Sequence, residues 1–249
     1  MIRFLYDNAL VDSVLSATNQ DINYPITNIY DTRLSKIYKS LTSSIRYTYD
    51  AGLGYTLNPT CITINAHNIS SAATIKIEGN ATNSWATPSF SLTLTYDALC
   101  IVEFFTASAY RYWSVSVDDP TNTDGYIQIG HSFIGNYLEL TFPIEPNFSI
   151  KYLEQSVKHR SPTGQVYGHD SGVFLIDINI TIQNITNAQR LLALTMYTHV
   201  RNYKPFYFII DKDYITTLPS IYCTIEDDIE FNALPGYNWD FRLHLVEAK

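Results

Sequence analysis

Residues 110–135 read Tyr-Arg-Tyr-Trp-Ser-Val-Ser-Val-Asp-Asp-Pro-Thr-Asn-Thr-Asp-Gly-Tyr-Ile-Gln-Ile-Gly-His-Ser-Phe-Ile-Gly. Trp113, Val115 and Val117 alternate with Ser114 and Ser116 until Asp118-Asp119-Pro120 breaks the run. Ile127 and Ile129 then flank Gln128, and Gly130 closes that run. A period of two sends alternate side chains to opposite faces, one toward a core and one toward water. The stretch therefore predicts two short half-buried strands joined by a polar turn.

The same pattern extends upstream. Ile62 and Ile64, Ile75 and Ile77, and Phe90, Leu92, Leu94 and Tyr96 each alternate with polar residues, with Gly79-Asn80 read as a turn. Short strands punctuated by Gly, Pro, Asn and Asp are the pattern of an antiparallel sandwich or barrel. Before them, residues 1–50 read as polar loop with short elements. Tyr24-Pro25 opens a turn region, and Arg33, Lys36 and Lys39 at helical spacing predict a short surface turn. The fold class expected is mainly β: a jelly-roll-like β-sandwich over residues 1–143, followed by a second β-rich domain over 144–249 with one α-helix.

Pro143-Ile144-Glu145-Pro146-Asn147 marks that boundary, since neither proline donates to a central ladder. Residues 158–172 are polar and turn-rich and read as a long exposed loop or hairpin arm. Phe174, Ile176, Ile178, Ile180 and Ile182 then share one strand face. Asn184–Asn187 offers caps for a helix near 187–201, whose expected inner stripe is Leu191, Leu192, Thr195, Met196 and Val200. Lys204-Pro205 should stop it, and strands follow at 206–210, 221–225 and 239–245.

Apolar residues make up 46% of the 249 and charged residues 16%, enough to bury a core and against global disorder. Twenty tyrosines and only two methionines favour strands. The 16 Lys+Arg against 24 Asp+Glu give a net charge of −8, which argues against nucleic acid, whose phosphates need clustered cations. No apolar run reaches the ~18–20 residues that cross a bilayer, so no membrane insertion is expected. Asp7 interrupts the N-terminal apolar stretch, so the chain reads as made in a cytoplasm without a secretory signal.

Chemistry is sparse. A nucleophile elbow, phosphate loop, HExxH helix and GxGxxG turn are all absent. Cys61, Cys100 and Cys223 are odd in number, form no CxxC pair, and read as small buried apolar residues. The Asp118–Gly125 run departs from a calcium loop, with Pro120 and His131 at its first and last ligand positions. His159 and His169 lack a third ligand, so no metal or cofactor is expected. The acidic run Glu226, Asp227, Asp228 and Glu230 reads as a solvated strand edge. Trp85, Trp113, Tyr110 and Tyr112 could form a sugar-stacking platform; Trp113 fits the core alternation, which leaves Trp85, in a Ser/Thr/Asn/Pro loop, as the better exposed candidate. No catalytic residue is nominated, and the chain is not expected to be an enzyme.

The 110–135 stretch resembles a pattern in tail structural proteins of tailed bacteriophages, whose domains are similar to discoidin or galactose-binding-like jelly rolls. Tyr24–Ser35 looks like the loop preceding their first core strand. Strand, helix, Lys204-Pro205-Phe206-Tyr207-Phe208 and the closing Trp239–Glu247 segment resemble the ring-forming β-domain of distal tail or tail-tip proteins, here in reversed order. The resemblance implies a virion protein of a tail tip or baseplate that forms a homo-oligomeric ring and joins other tail proteins. His159, Arg160, Tyr167 and His169, on the polar arm, would then belong to the oligomer interface. The alternative is a carbohydrate-binding module that takes surface glycans through Trp85.

Overall fold

The computed structural model describes residues 2–12, 14–140, 147–169, 172, 174–210 and 220–248. The chain is mainly β, with one α-helix among the described residues. It divides into two compact units, Asp7–Tyr137 and Met1–Tyr6 with Leu138–Lys249. Residues 2–6 thus group with the C-terminal part rather than with the sandwich in which the sequence reading placed them. Their pattern explains this: Ile2 and Phe4 are fully buried and pair with Ile210 and Phe208 at the far end of the chain. Residues 143–146 of the expected boundary lie outside the described residues.

The Asp7–Tyr137 unit is an antiparallel sandwich. One sheet has the order Val14–Ala17, Ser44–Asp50, Tyr112–Asp118, Thr74–Asn80, Phe90–Thr93. In the other, Cys61–Asn65 pairs with His131–Gly135 on one side and Cys100–Phe104 on the other. Ile45, Tyr47, Ile75, Ile77, Trp113, Val115 and Val117 from the first sheet share a core with Ile62, Ile64, Ile101 and Ile134 from the second. Burying each such side chain contributes about 1.5–3 kcal/mol, so the alternation at 113–117 is a driving force and not a decoration.

One local expectation for this unit changes. Gly79 and Asn80 are not a turn; they end the Thr74–Asn80 strand, with Gly79 opposite Trp113. A Cβ built on Gly79 would sit 2.6 Å from the Tyr110 ring and 3.2 Å from that of Trp113. Glycine is there because two aromatic rings lie against the backbone. The short surface turn expected at Arg33 and Lys36 is present, the Lys36 amide donating to the Arg33 carbonyl at 3.0 Å, while Lys39 lies beyond it on the Tyr38–Lys39 strand. Asp31 gathers Arg33 at 3.0 Å and Lys36 at 2.8 Å, while the short 3-10 helix lies just before it at Ile26–Tyr30.

In the other unit the sheet order is Asn147–Glu154, Phe174–Ile185, Trp239–Glu247, Ile221–Ile225, Phe206–Ile210, Ile2–Asn8, with Glu230–Ala233 also paired to Trp239–Glu247. Ile178, Ile180 and Ile182 face Leu245, Leu243 and Phe241 across the ladder, and all six are buried. The strand outruns this core at its start: Ile176 is only partly buried and Phe174 is 52% exposed.

The helix Asn187–Val200 starts in a capping box, Thr186 Oγ1 accepting from the Gln189 amide and Gln189 Oε1 from the Thr186 amide. It ends at Arg201, with φ +52, ahead of Pro205. Its buried face is Ala193, Met196 and Val200. Leu191 and Leu192, expected on that face, are about half exposed at 49% and 50%. The expected stripe was set one step off around the axis, because Leu-Leu outweighs a small Ala in any hydrophobic reading although Ala193 is what fits against the sheet.

Candidate functional site

Two surfaces collect the residues singled out above. The first is the arm. Val157–Arg160 and Val166–His169 pair antiparallel as a sheet of their own, Val157 opposite His169, Lys158 opposite Gly168, His159 opposite Tyr167 and Arg160 opposite Val166. Its turn is built from sequence: Pro162 presets the first corner, and Gly164 takes φ +89 while its amide donates to the Ser161 carbonyl at 2.9 Å. Ser161 Oγ accepts from the Gln165 amide at 3.0 Å, closing the tip. All eight ladder residues are exposed.

Directly paired residues point to the same side, so the register sorts the arm into two faces. Val157, His159, Tyr167 and His169 make an apolar and aromatic face, and Lys158, Arg160, Gly168 and Val166 make a cationic one. Of the four arm residues nominated from sequence, His159, Tyr167 and His169 therefore share one face and Arg160 lies on the other. Lys158 was missed, although its period-2 spacing from Arg160 was readable.

The unit also carries an acidic cleft of about 480 Å³. On the face of Phe174–Ile185 opposite the isoleucine core stand Asp177, Asn179 and Thr181, in register with Val246, His244 and Arg242 of Trp239–Glu247. Glu226, Asp227 and Asp228 are exposed and lie in the connection between Ile221–Ile225 and Glu230–Ala233, not on a strand edge as expected. Asp227, Asp228 and Glu230 line the cleft with His244. His244 Nδ1 lies 2.8 Å from Asp227 and its Nε2 3.3 Å from Asp177. Partial burial disfavours the imidazolium, but the two carboxylates outweigh it and hold its pKa above the ordinary histidine value. Tyr197 donates to Asp228 at 3.1 Å, and Arg242 sits 3.6 Å from Glu230.

Trp85 lies apart, in the sandwich. Asn80 organises its loop by accepting from the Ala81 amide and Ser89 and donating to the Ser84 carbonyl at 2.7 Å. The indole is partly exposed, its Nε1 donating to Asn83 at 2.9 Å. The Arg46 guanidinium stacks 5.3 Å from its ring centre while also pairing with buried Glu78 and Ser114. The outer sheet face beside Arg46 forms a shallow polar cleft of about 650 Å³ with Thr18, Asn19, Lys76, Ser116 and Asp118. His131 is buried, and burial lowers its pKa to about 4, which keeps it neutral inside the fold. Cys61, Cys100 and Cys223 are buried, as expected.

No family model and no curated protein matches the chain. Among solved structures it is similar to the lectin domain of lectinolysin complexed with Lewis B antigen, at 12% identity and a TM-score of 0.42, over 52% of this chain and 96% of that one. It is also similar to the family 32 CBM from C. perfringens NanJ in complex with galactose, at 13% identity and 0.41, over 55% and 100%. A Streptococcus pneumoniae fucose binding module matches at 10% identity and 0.41, over 52% and 95%. These likenesses transfer no ligand. The sandwich is established by its own strand order and shared core.

Proposed function

We propose that the chain is a non-catalytic building block that self-associates through the unit containing the arm and presents its sandwich to neighbouring parts. The setting implied by the phage resemblance is the tail tip or baseplate of a tailed bacteriophage, where the chain forms a ring between the tube and the fibres or receptor-binding parts. One observation carries this reading: a two-stranded hairpin whose eight ladder residues are all exposed, with Val157, Val166 and Tyr167 each more than half accessible. A lone hairpin in water is marginal at best, so its order depends on a surface that covers it. Tyr152 and Phe174, at 65% and 52% exposure on one face of the adjoining strands, extend the apolar area at its root. Electron microscopy of the full chain beside a variant lacking residues 160–170 tests this. Rings are expected from the first and a folded monomer from the second; rings from the truncated chain would remove the arm from the assembly.

A second reading has its own support, the partly exposed indole of Trp85 at a polar sheet face. In it the sandwich binds surface glycans, stacking a pyranose on the ring. A glycan array with wild type and Trp85→Ala decides it: binding lost in the variant supports the reading, and no binding by either removes it.

A further inference from the structure

We infer that the cationic face of the arm docks into the acidic cleft of a second copy of this chain. The inference rests on the self-association proposed above and names the two surfaces that meet. The arm supplies two positive side chains on one face, Lys158 and Arg160, two residues apart on one strand. The cleft supplies Asp227, Asp228 and Glu230 on one rim, with Glu226 beside them. Arg242 and His244 are the cations that line the cleft, and Lys151 stands opposite Asp177 on the same face. Arg242 lies at Glu230 and His244 between Asp177 and Asp227, so the face keeps a net negative charge.

The chain as a whole carries −8, so like-charged copies repel at long range. A local basic arm meeting a local acidic cleft overcomes that repulsion and fixes which surfaces touch. The floor of the cleft is a row of side-chain hydrogen-bonding groups, Ser149, Asn179 and Thr181, suited to a polar strand rather than to an apolar one. The other arm face, Val157, His159, Tyr167 and His169, is left to pack on the rim or on the next neighbour. Arm and cleft are different patches of one chain, so the contact is head-to-tail. Such contacts propagate from copy to copy and close into a ring when the rotation allows.

Charge reversal with cross-complementation tests it, read by sedimentation velocity on the full chain. Lys158→Glu with Arg160→Glu should weaken association by about tenfold or more, and so should Asp228→Lys with Glu230→Lys. Mixed one to one, the two variants should assemble again, because each reversed arm now meets a reversed cleft. A single chain carrying all four substitutions should also self-associate. Thermal melts of the variants report whether each remains folded. If wild type assembles and either pair of reversals leaves it unchanged, or the mixture fails to recover, the arm–cleft contact is wrong while self-association stands. If wild type is monomeric throughout, both fall together.

Discussion

His244 Nδ1 sits 2.8 Å from Asp227 Oδ2 while its Nε2 faces Asp177 Oδ1 at 3.3 Å, so one imidazole stands between two carboxylates from different parts of the chain. Only the protonated ring offers an N–H to both. Desolvation works against that charge and the aspartates overcome it, leaving the folded pKa above the unfolded value near ~6.5. The contribution to stability is therefore complete below about pH 6.5 and disappears as pH rises through the folded value. Urea unfolding midpoints should fall as pH rises above about 6.5, and His244→Asn should remove that part of the slope. An unchanged slope in the variant would show that the triplet contributes nothing.

Helix residues separate by face. Met196 is fully buried in the core and Leu191 is 49% exposed. Met196→Ala should cost about 2–5 kcal/mol, whereas Leu191→Ala should stay within about 0.5 kcal/mol. Equal losses at both positions, measured by chemical denaturation, would mean that the helix is rotated from the orientation described.

Gly79→Ala is expected to destabilise by about 1–3 kcal/mol, since its methyl meets the Tyr110 and Trp113 rings. Near-ultraviolet circular dichroism should change with it, because Trp113 also stacks edge-on with Tyr110 at 5.7 Å. A neutral substitution would show that the rings move aside freely.

Asp119 is fully buried and accepts from the Ser70 amide at 2.7 Å, Ser70 Oγ at 2.6 Å, Thr121 at 3.2 Å and Asn122 at 3.3 Å. Asp119→Ala strands several donors in one place, and a loss of about 3 kcal/mol is expected on chemical unfolding. Stability equal to wild type would mean that these donors find other partners.

Sequence legibility followed the range of the interactions. Trp113, Val115 and Val117 were readable because period-2 burial is a local pattern, and so were Ile178, Ile180 and Ile182. The helix ends were readable from Thr186, Gln189 and Pro205, since caps act within one turn. Ile2 and Phe4 were not, because their partners Ile210 and Phe208 are at the other end of the chain. Gly79 looked like a turn because nothing nearby shows that the rings of Tyr110 and Trp113 fold onto it. His244 between Asp177 and Asp227 joins three separated segments, which no spacing reveals. The arm was legible as polar and turn-rich, but its division into a cationic and an aromatic face needed the register.

Sedimentation equilibrium of the purified chain over a wide concentration range bears most directly on the whole account. Copies that hold one another should give a mass several times 28.4 kDa that persists on dilution and falls in high salt. A single species of 28.4 kDa at every concentration and ionic strength would contradict it.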